Sequence, residues 1–263
     1  MIQAVFFDID GTLVSFQTHT IPNATRQALF ALRKAGVKLF IATGRPPTNL
    51  GVLRRGFDFE FDAYITINGQ YCRNRDGVIY ERALPPDSIR SIVPYMERER
   101  IACSFVELDK AYYNLVNDKV RALNQMLGQP EKADRVEAVD TAHLRKIYQL
   151  SAFVTPQEEP AFFEHMPGCK STRWYPSFMD VIPLDGGKPV GMDRVLEQYG
   201  IDLANTMAFG DGGNDIEMLR HAGIGVAMGN ALEEVKLAAD YVTSSVDEQG
   251  VANALRRFGV IAE

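Results

Sequence analysis

Cysteine is scarce. Cys72, Cys103 and Cys169 stand far apart with no Cys-x-x-Cys pair, which argues against a zinc ribbon and a disulfide framework and leaves them as buried or idle thiols. Histidine offers no ligand pattern either: His19, His143, His165 and His221 lack mutual metal-binding spacing, so no metal role is assigned to them. An excess of basic charge is missing. With 28 Lys and Arg against 34 Asp and Glu, a net charge of -6, the chain lacks what an electrostatic nucleic-acid binder needs, although a local basic pocket for one phosphate is compatible with it. No apolar run approaches the roughly 18 residues that span a bilayer. The opening Met-Ile-Gln-Ala-Val-Phe-Phe is too short and lacks the basic flank of a signal peptide, so a cytoplasmic protein without membrane contact is expected. Internal repeats and low-complexity tracts are absent as well. What remains is an ordinary globular composition, 46% hydrophobic and 24% charged over 263 residues, enough for one large core or two linked ones.

The pattern at both ends of the chain is that of an α/β fold. Residues 2–7 form an apolar run rich in strand formers, 22–35 carry apolar residues near helical spacing, and 37–42 form a second buried run, which together read as a βαβ unit. A third strand is expected at 63–67, and a hairpin at 70–81 around the Asn-Arg-Asp-Gly turn. Toward the C-terminus, Met192, Val195, Leu196 and Tyr199 make a helical stripe. A strand is expected there at 206–210, a helix at 214–222, a strand at 223–228 and helices at 231–239 and 251–258. The middle differs: a helix after Leu84-Pro85-Pro86, paired strands at 102–106 and 112–116, and further strands at 147–154 and 178–182. The expected architecture is therefore a doubly wound parallel-sheet, Rossmann-like core from residues 1–83 and 184–263, carrying an inserted α+β cap domain at 84–183.

Four motifs carry chemistry. Asp8-Ile9-Asp10-Gly11-Thr12-Leu13 comes directly after the first buried strand, where residues two apart project to one side, so Asp8 and Asp10 can face a common ligand. Such a pair suits a cation, or a nucleophile beside a general acid; each aspartate alone reads equally as a strand-end residue or a cap. Thr43-Gly44-Arg45 comes after the second strand with a hydroxyl and backbone amides that can cradle phosphate, or a threonine that merely caps the next helix. Lys188 precedes the Met192 stripe and, read alone, is a surface charge. Gly210-Asp211-Gly212-Gly213-Asn214-Asp215 comes after a buried strand and pairs glycines with two acids, which suits a cation better than a bare anion.

In order and context, Asp8-x-Asp10-Gly-Thr12, Thr43-Gly44, Lys188 and Asp211-Gly-x-Asn214-Asp215 resemble the four motifs of haloacid dehalogenase-like phosphatases, and the whole chain resembles their Cof-type branch with a large α/β cap. One departure is Pro189, where that branch commonly has glycine after the lysine. The resemblance implies a magnesium-dependent phosphatase in which Asp8 attacks phosphorus and Asp10 serves as acid and base. It implies Mg2+ held by Asp8, the Asp10 carbonyl and Asp211 with Asp215 in support, and phosphate held by Thr43, Gly44, Lys188 and Asn214. Thr12 is expected to orient Asp10, Arg45 to reach the leaving group or pair with a surface acid, and Arg173, beside Trp174 and Tyr175, to contact a polar metabolite or lie in a cap strand. The implied substrate is a small phosphorylated metabolite, above all a hexose or other sugar phosphate. A phosphomutase and an aspartyl-phosphate signalling module are the alternatives.

Overall fold

A computed structural model describes residues 1–262, which divide into two compact units. Residues 1–45, 49–81 and 187 onward make the first, and 46–48 and 82–186 the second. The strands in chain order are β1 (Ala4–Phe7), β2 (Lys38–Ala42), β3 (Ala63–Thr66), β4 (Tyr71–Arg73) and β5 (Val78–Glu81). They continue with β6 (Cys103–Val106), β7 (Ala111–Tyr113), β8 (Gln149–Ala152), β9 (Cys169–Tyr175) and β10 (Phe178–Pro183). The last three are β11 (Thr206–Gly210), β12 (Ile224–Ala227) and β13 (Tyr241–Val242).

The first unit is one sheet in the order β13-β12-β11-β1-β2-β3-β4-β5, parallel from β13 to β3 and closed on one side by the antiparallel β4–β5 hairpin. Its central strand shows why it is buried on both faces. Val5 and Phe7 pack with Leu29 and Leu32 of the Asn23–Lys34 helix and Leu255 of the Gly250–Arg257 helix. Ala4 and Phe6, of opposite parity, pack with Val195 of the Lys188–Tyr199 helix and Met218 of the Ile216–His221 helix. The same alternation runs through β2 and β11, and in-register neighbours Phe7 and Phe209 stack at 5.4 Å. This is a mixed α/β architecture with helices on both faces of a parallel sheet.

The second unit is a five-stranded antiparallel sheet, β7-β6-β8-β10-β9. The Pro86–Glu99 helix covers one face, burying Ile89, Ile92 and Met96 against Phe105, Leu150, Met179 and Val181. Two expected helices are shorter than their sequence pattern. The segment 214–222 begins as a tight 3-10 turn and becomes α-helical only at Ile216, and of 231–239 only Glu233–Lys236 is helical. In the latter, Asp240 pairs with Gly225 through both its amide and its carboxylate and draws the chain out into β13. No helix among the described residues is long and apolar enough to cross a membrane.

Close approach of helix and sheet in the first unit depends on Gly225. A Cβ there would fall 2.1 Å from the Leu219 carbonyl oxygen, a backbone atom that cannot rotate away. Gly225→Ala is therefore expected to lower stability by about 1–3 kcal/mol, the usual cost of overpacking. Urea denaturation followed by circular dichroism measures this, and a wild-type midpoint would mean that the helix is free to lift from the sheet.

Candidate active site

The parallel strands β1, β2 and β11 end side by side, and the loops leaving them meet at this edge. β1 is the switch point of the sheet: the chain leaves it for β2 on one side, while β11 lies on the other, so a crevice opens between their carboxyl ends. Asp8 comes next after β1 with the parity of Ala4 and Phe6, so it points to the face on which the Lys188–Tyr199 helix lies.

Lys188 is the first residue of that helix and is 2% exposed. Its ammonium donates to Asp8 Oδ1 at 2.8 Å, to the Ala42 carbonyl at 2.7 Å and to Asp215 Oδ1 at 2.5 Å, so all three protons are used. Burial alone would lower the lysine pKa, but Asp215 and Asp8 outweigh it and raise it, keeping the ammonium charged. Pro189 sits in the first turn, where a missing N–H costs no helical hydrogen bond, so the departure from glycine is accommodated.

Asp215 braces the opposite side. Its Oδ2 accepts from the amides of Asp211 and Gly212, each at 3.0 Å, and this contact shapes the tight turn that precedes the helix. Gly210 has to be glycine here, because a Cβ would meet the Asp215 side chain at 2.5 Å. Gly11 likewise turns at φ +81°, and a Cβ on it would lie 2.1 Å from Asp211 Oδ2. The turn delivers Thr12 toward β11, so Thr12 Oγ1 donates to Asp211 Oδ1 at 2.8 Å; the expectation that it orients Asp10 is corrected accordingly.

Asp10 is held instead by Arg45. Nε donates to Oδ2 at 2.7 Å and Nη2 to Oδ1 at 2.6 Å, a bidentate pair, while Nη1 donates to the Asn49 carbonyl. Of the two uses considered for Arg45, it makes the ion pair, but with the second motif aspartate rather than a surface acid. Thr43, buried, accepts from the Arg45 amide through Oγ1, and Gly44 lies beneath the side chain of Asn68. Asn214 donates to Asn68 Oδ1 at 3.0 Å. In the second unit the guanidinium of Arg173 is engaged by the carbonyls of Pro176, Phe178 and Val154 and by Glu159. Arg173 lies in β9, the second of the two readings considered for it, and these bonds tie the end of that strand to β10.

Asp8, Asp211 and Asp215 each offer an oxygen within 4.8 Å of the others, all buried. Burial pushes the Asp8 carboxyl up to about 7 against the pull of Lys188, and Asp215 and Asp10 add to the rise. Burial and the charges of Asp8 and Asp215 also push Asp211 well above the usual carboxylate range. Three carboxylates around one ammonium leave net negative charge in a dry place. A hard divalent cation with oxygen ligands is what such a donor set neutralises, so the residues fit magnesium.

Sequence reading missed Asn68, Asn230 and the Ala42 carbonyl. Asn230 donates to the Gly11 carbonyl at 2.9 Å and accepts from the Val246 amide, fixing the turn that carries Asp10. The Asn68-Gly69 and Gly229-Asn230 dipeptides mark turns after strands and offered a signal. A backbone carbonyl offers none.

The sequence model of the haloacid dehalogenase-like hydrolase family matches residues 5–255. YkrA of Bacillus subtilis, provisionally named a phosphatase, is 35% identical over 98% of both chains. Among solved structures, the subclass IIB sugar phosphatase BT4131 is 42% identical, with a TM-score of 0.88 over 98% of this chain and 100% of that one. BT1666 of Bacteroides thetaiotaomicron, described among phosphatases of the same superfamily, is 34% identical, with a TM-score of 0.89 over 99% and 96%.

The raised Asp8 carboxyl has a measurable consequence. An acid whose pKa rises on folding from 3.8 to about 7 stabilises the fold fully below the lower value and withdraws that stabilisation as pH climbs through the higher one. In chelator, the wild-type melting temperature is expected to fall across that window, and to fall less in Asp8→Asn. Identical pH profiles for the two proteins would show that Asp8 ionises as an ordinary carboxylate.

Proposed function

Since the chain belongs to the haloacid dehalogenase-like hydrolases and is a phosphatase, we propose that it is a cytoplasmic, magnesium-dependent phosphomonoesterase acting on small phosphorylated metabolites, sugar phosphates of the hexose type foremost, through an aspartyl-phosphate on Asp8. The observation that carries this reading is the buried Lys188 ammonium shared between Asp8 and Asp215 at the carboxyl edge of the sheet, beside the Arg45-bound Asp10. The sugar is supported by the name of the BT4131 neighbour, a sugar phosphatase of 42% identity.

Asp8 would attack phosphorus, forming the Asp8 O–P bond as the bond from phosphorus to the sugar oxygen breaks. Asp10 would hand its proton to that leaving oxygen, then take a proton from the water that attacks the aspartyl-phosphate, whose cleavage releases phosphate and restores Asp8. Thr43, the Gly44 amide, Lys188 and Asn214 would hold the phosphoryl oxygens, and most of the acceleration in such a transfer comes from positioning and charge stabilisation. Magnesium held by Asp8, the Asp10 carbonyl and Asp211, with Asp215 supporting through the loop it braces, would neutralise charge between nucleophile and phosphate.

The test is phosphate release by purified wild type, Asp8→Asn and Asp10→Ala over a panel of sugar phosphates, nucleotides and phosphorylated cofactors, with magnesium or with chelator. Release that needs magnesium, disappears in Asp8→Asn and falls roughly 10²–10⁴-fold in Asp10→Ala is expected. Isomer formation without phosphate would instead indicate a mutase, and a long-lived phosphoprotein a signalling module. Silence across the panel would end the hydrolytic reading.

A further inference from the structure

β3 ends in a backbone conformation that side chains resist. Ile67, Asn68 and Gly69 have φ of 53°, 51° and 95°, three left-handed residues in succession, the first of them β-branched. Asparagine and glycine tolerate this region, isoleucine does not, and strain of this kind persists only where surrounding contacts hold it and often where a site needs it.

The contacts that hold it reach all three loops that carry the phosphate-binding groups. Ile67 N donates to the Arg45 carbonyl and Asn68 N to the Thr43 carbonyl, both at 3.0 Å, pinning the turn to the loop after β2. Gly69 lies against the start of the Lys188 helix, where a Cβ would come 2.1 Å from the Gly187 carbonyl oxygen and 3.0 Å from the Lys188 amide. The Asn68 side chain, 1% exposed as a residue, accepts from Asn214 Nδ2 at 3.0 Å, and a Cβ on Gly44 would stand 3.2 Å from both its amide nitrogen and its amide oxygen. One amide thus fixes the rotamer of Asn214 and roofs Gly44.

We propose that Asn68 is a positioning residue of the reaction: its side chain, presented by the strained Ile67–Gly69 turn, holds Asn214 and the Gly44 backbone in register with Lys188 for the substrate phosphate. The inference rests on the phosphate-binding roles proposed above. A purely structural asparagine would stabilise the turn and leave the affinity for phosphate alone. A positioning one acts through Asn214, so removing either partner forfeits the same organisation.

Asn68→Gly separates the two, because glycine keeps the left-handed backbone while the amide is lost. The readouts are kcat and KM for the preferred phosphate ester, inhibition by inorganic phosphate, and the melting temperature, in wild type, Asn68→Gly, Asn214→Ala and the double variant. Expected is a rise in KM and in the phosphate inhibition constant of roughly tenfold in each single variant, the scale of one hydrogen bond that orients a charged ligand. The change in kcat should be smaller, the melting temperature lowered only modestly by the lost buried amide, and the effect of the double variant clearly less than the product of the two single ones. Asn68→Asp keeps the acceptor for Asn214 but puts a carboxylate over Gly44, so it should bind phosphate more weakly still. Unchanged phosphate inhibition in Asn68→Gly, full additivity with Asn214→Ala, or wild-type phosphate binding by Asn68→Asp would each overturn the inference. A wild type that releases no phosphate defeats the phosphatase reading first, whereas an active wild type with any of those results defeats this inference alone.

Discussion

The ammonium of Lys188 is the interaction on which the catalytic edge depends. It lies among Asp8, Asp215 and the Ala42 carbonyl, out of reach of water, and ties together the ends of β1 and β2 and the loop after β11. Two buried carboxylates without it would face one another uncompensated, and breaking a buried pair of this kind costs about 3–5 kcal/mol. Its influence extends beyond its own contacts. With one oxygen taken by the lysine, Asp215 has the other free for the amides of Asp211 and Gly212, and this brings Asp211 to where Thr12 can reach it. The glycines at 11 and 210 are consequences of that crowding, since each lies where a Cβ would strike an acid of the cluster.

Strand parity made much of this edge legible. A run such as Ala4–Phe7, buried at every residue, announces a central parallel strand, and the residues just beyond such a strand stand at the sheet's carboxyl edge. That logic brings Asp8, Thr43 and Asp211 to one place from three distant parts of the chain, and the structure does assemble them there with Lys188. Local pattern fails where a residue's environment is set by tertiary contact. β9 reads Cys-Lys-Ser-Thr-Arg-Trp-Tyr, half-buried throughout with no apolar alternation, and owes its existence to pairing with β10. β13 has two residues and is specified by Asp240 binding Gly225. Neither carries a periodic signal.

The same limit explains the side chains that sequence reading assigned differently. The resemblance implied that Thr12, two residues from Asp10, would orient it, yet the turn at Gly11 carries the hydroxyl round to Asp211. Arg45, 35 residues away, is the group that grips Asp10. Proximity in sequence is a poor guide at a sharp turn, because a left-handed glycine reverses the chain within a single residue. Asn68 illustrates the converse. Its Asn-Gly dipeptide marks a turn, but nothing local discloses that Asn214, 146 positions away, donates to it.

The Lys188 triad and the Arg45–Asp10 pair at the edge differ in a way that bears on their chemistry. Lys188 and the two acids it binds are buried almost completely, with side-chain exposures of 1%, 8% and 1%, so no water stands ready to replace a broken contact. Arg45 and Asp10 retain 18% and 29%, and solvent can take over either partner's hydrogen bonds as they part. The triad is therefore static on physical grounds and the Arg45–Asp10 pair exchangeable. This asymmetry suits the proposed reaction, whose nucleophile has to stay in line with phosphorus while its proton carrier has to give up one partner and take another twice in each cycle. A carboxylate with both oxygens accepting from a guanidinium is not yet placed to donate to a leaving oxygen, so in that reaction release of Asp10 from Arg45 is a step in its own right, ahead of proton transfer. Burial of the one aspartate and partial exposure of the other thus divide the work between two residues that the chain places only two positions apart.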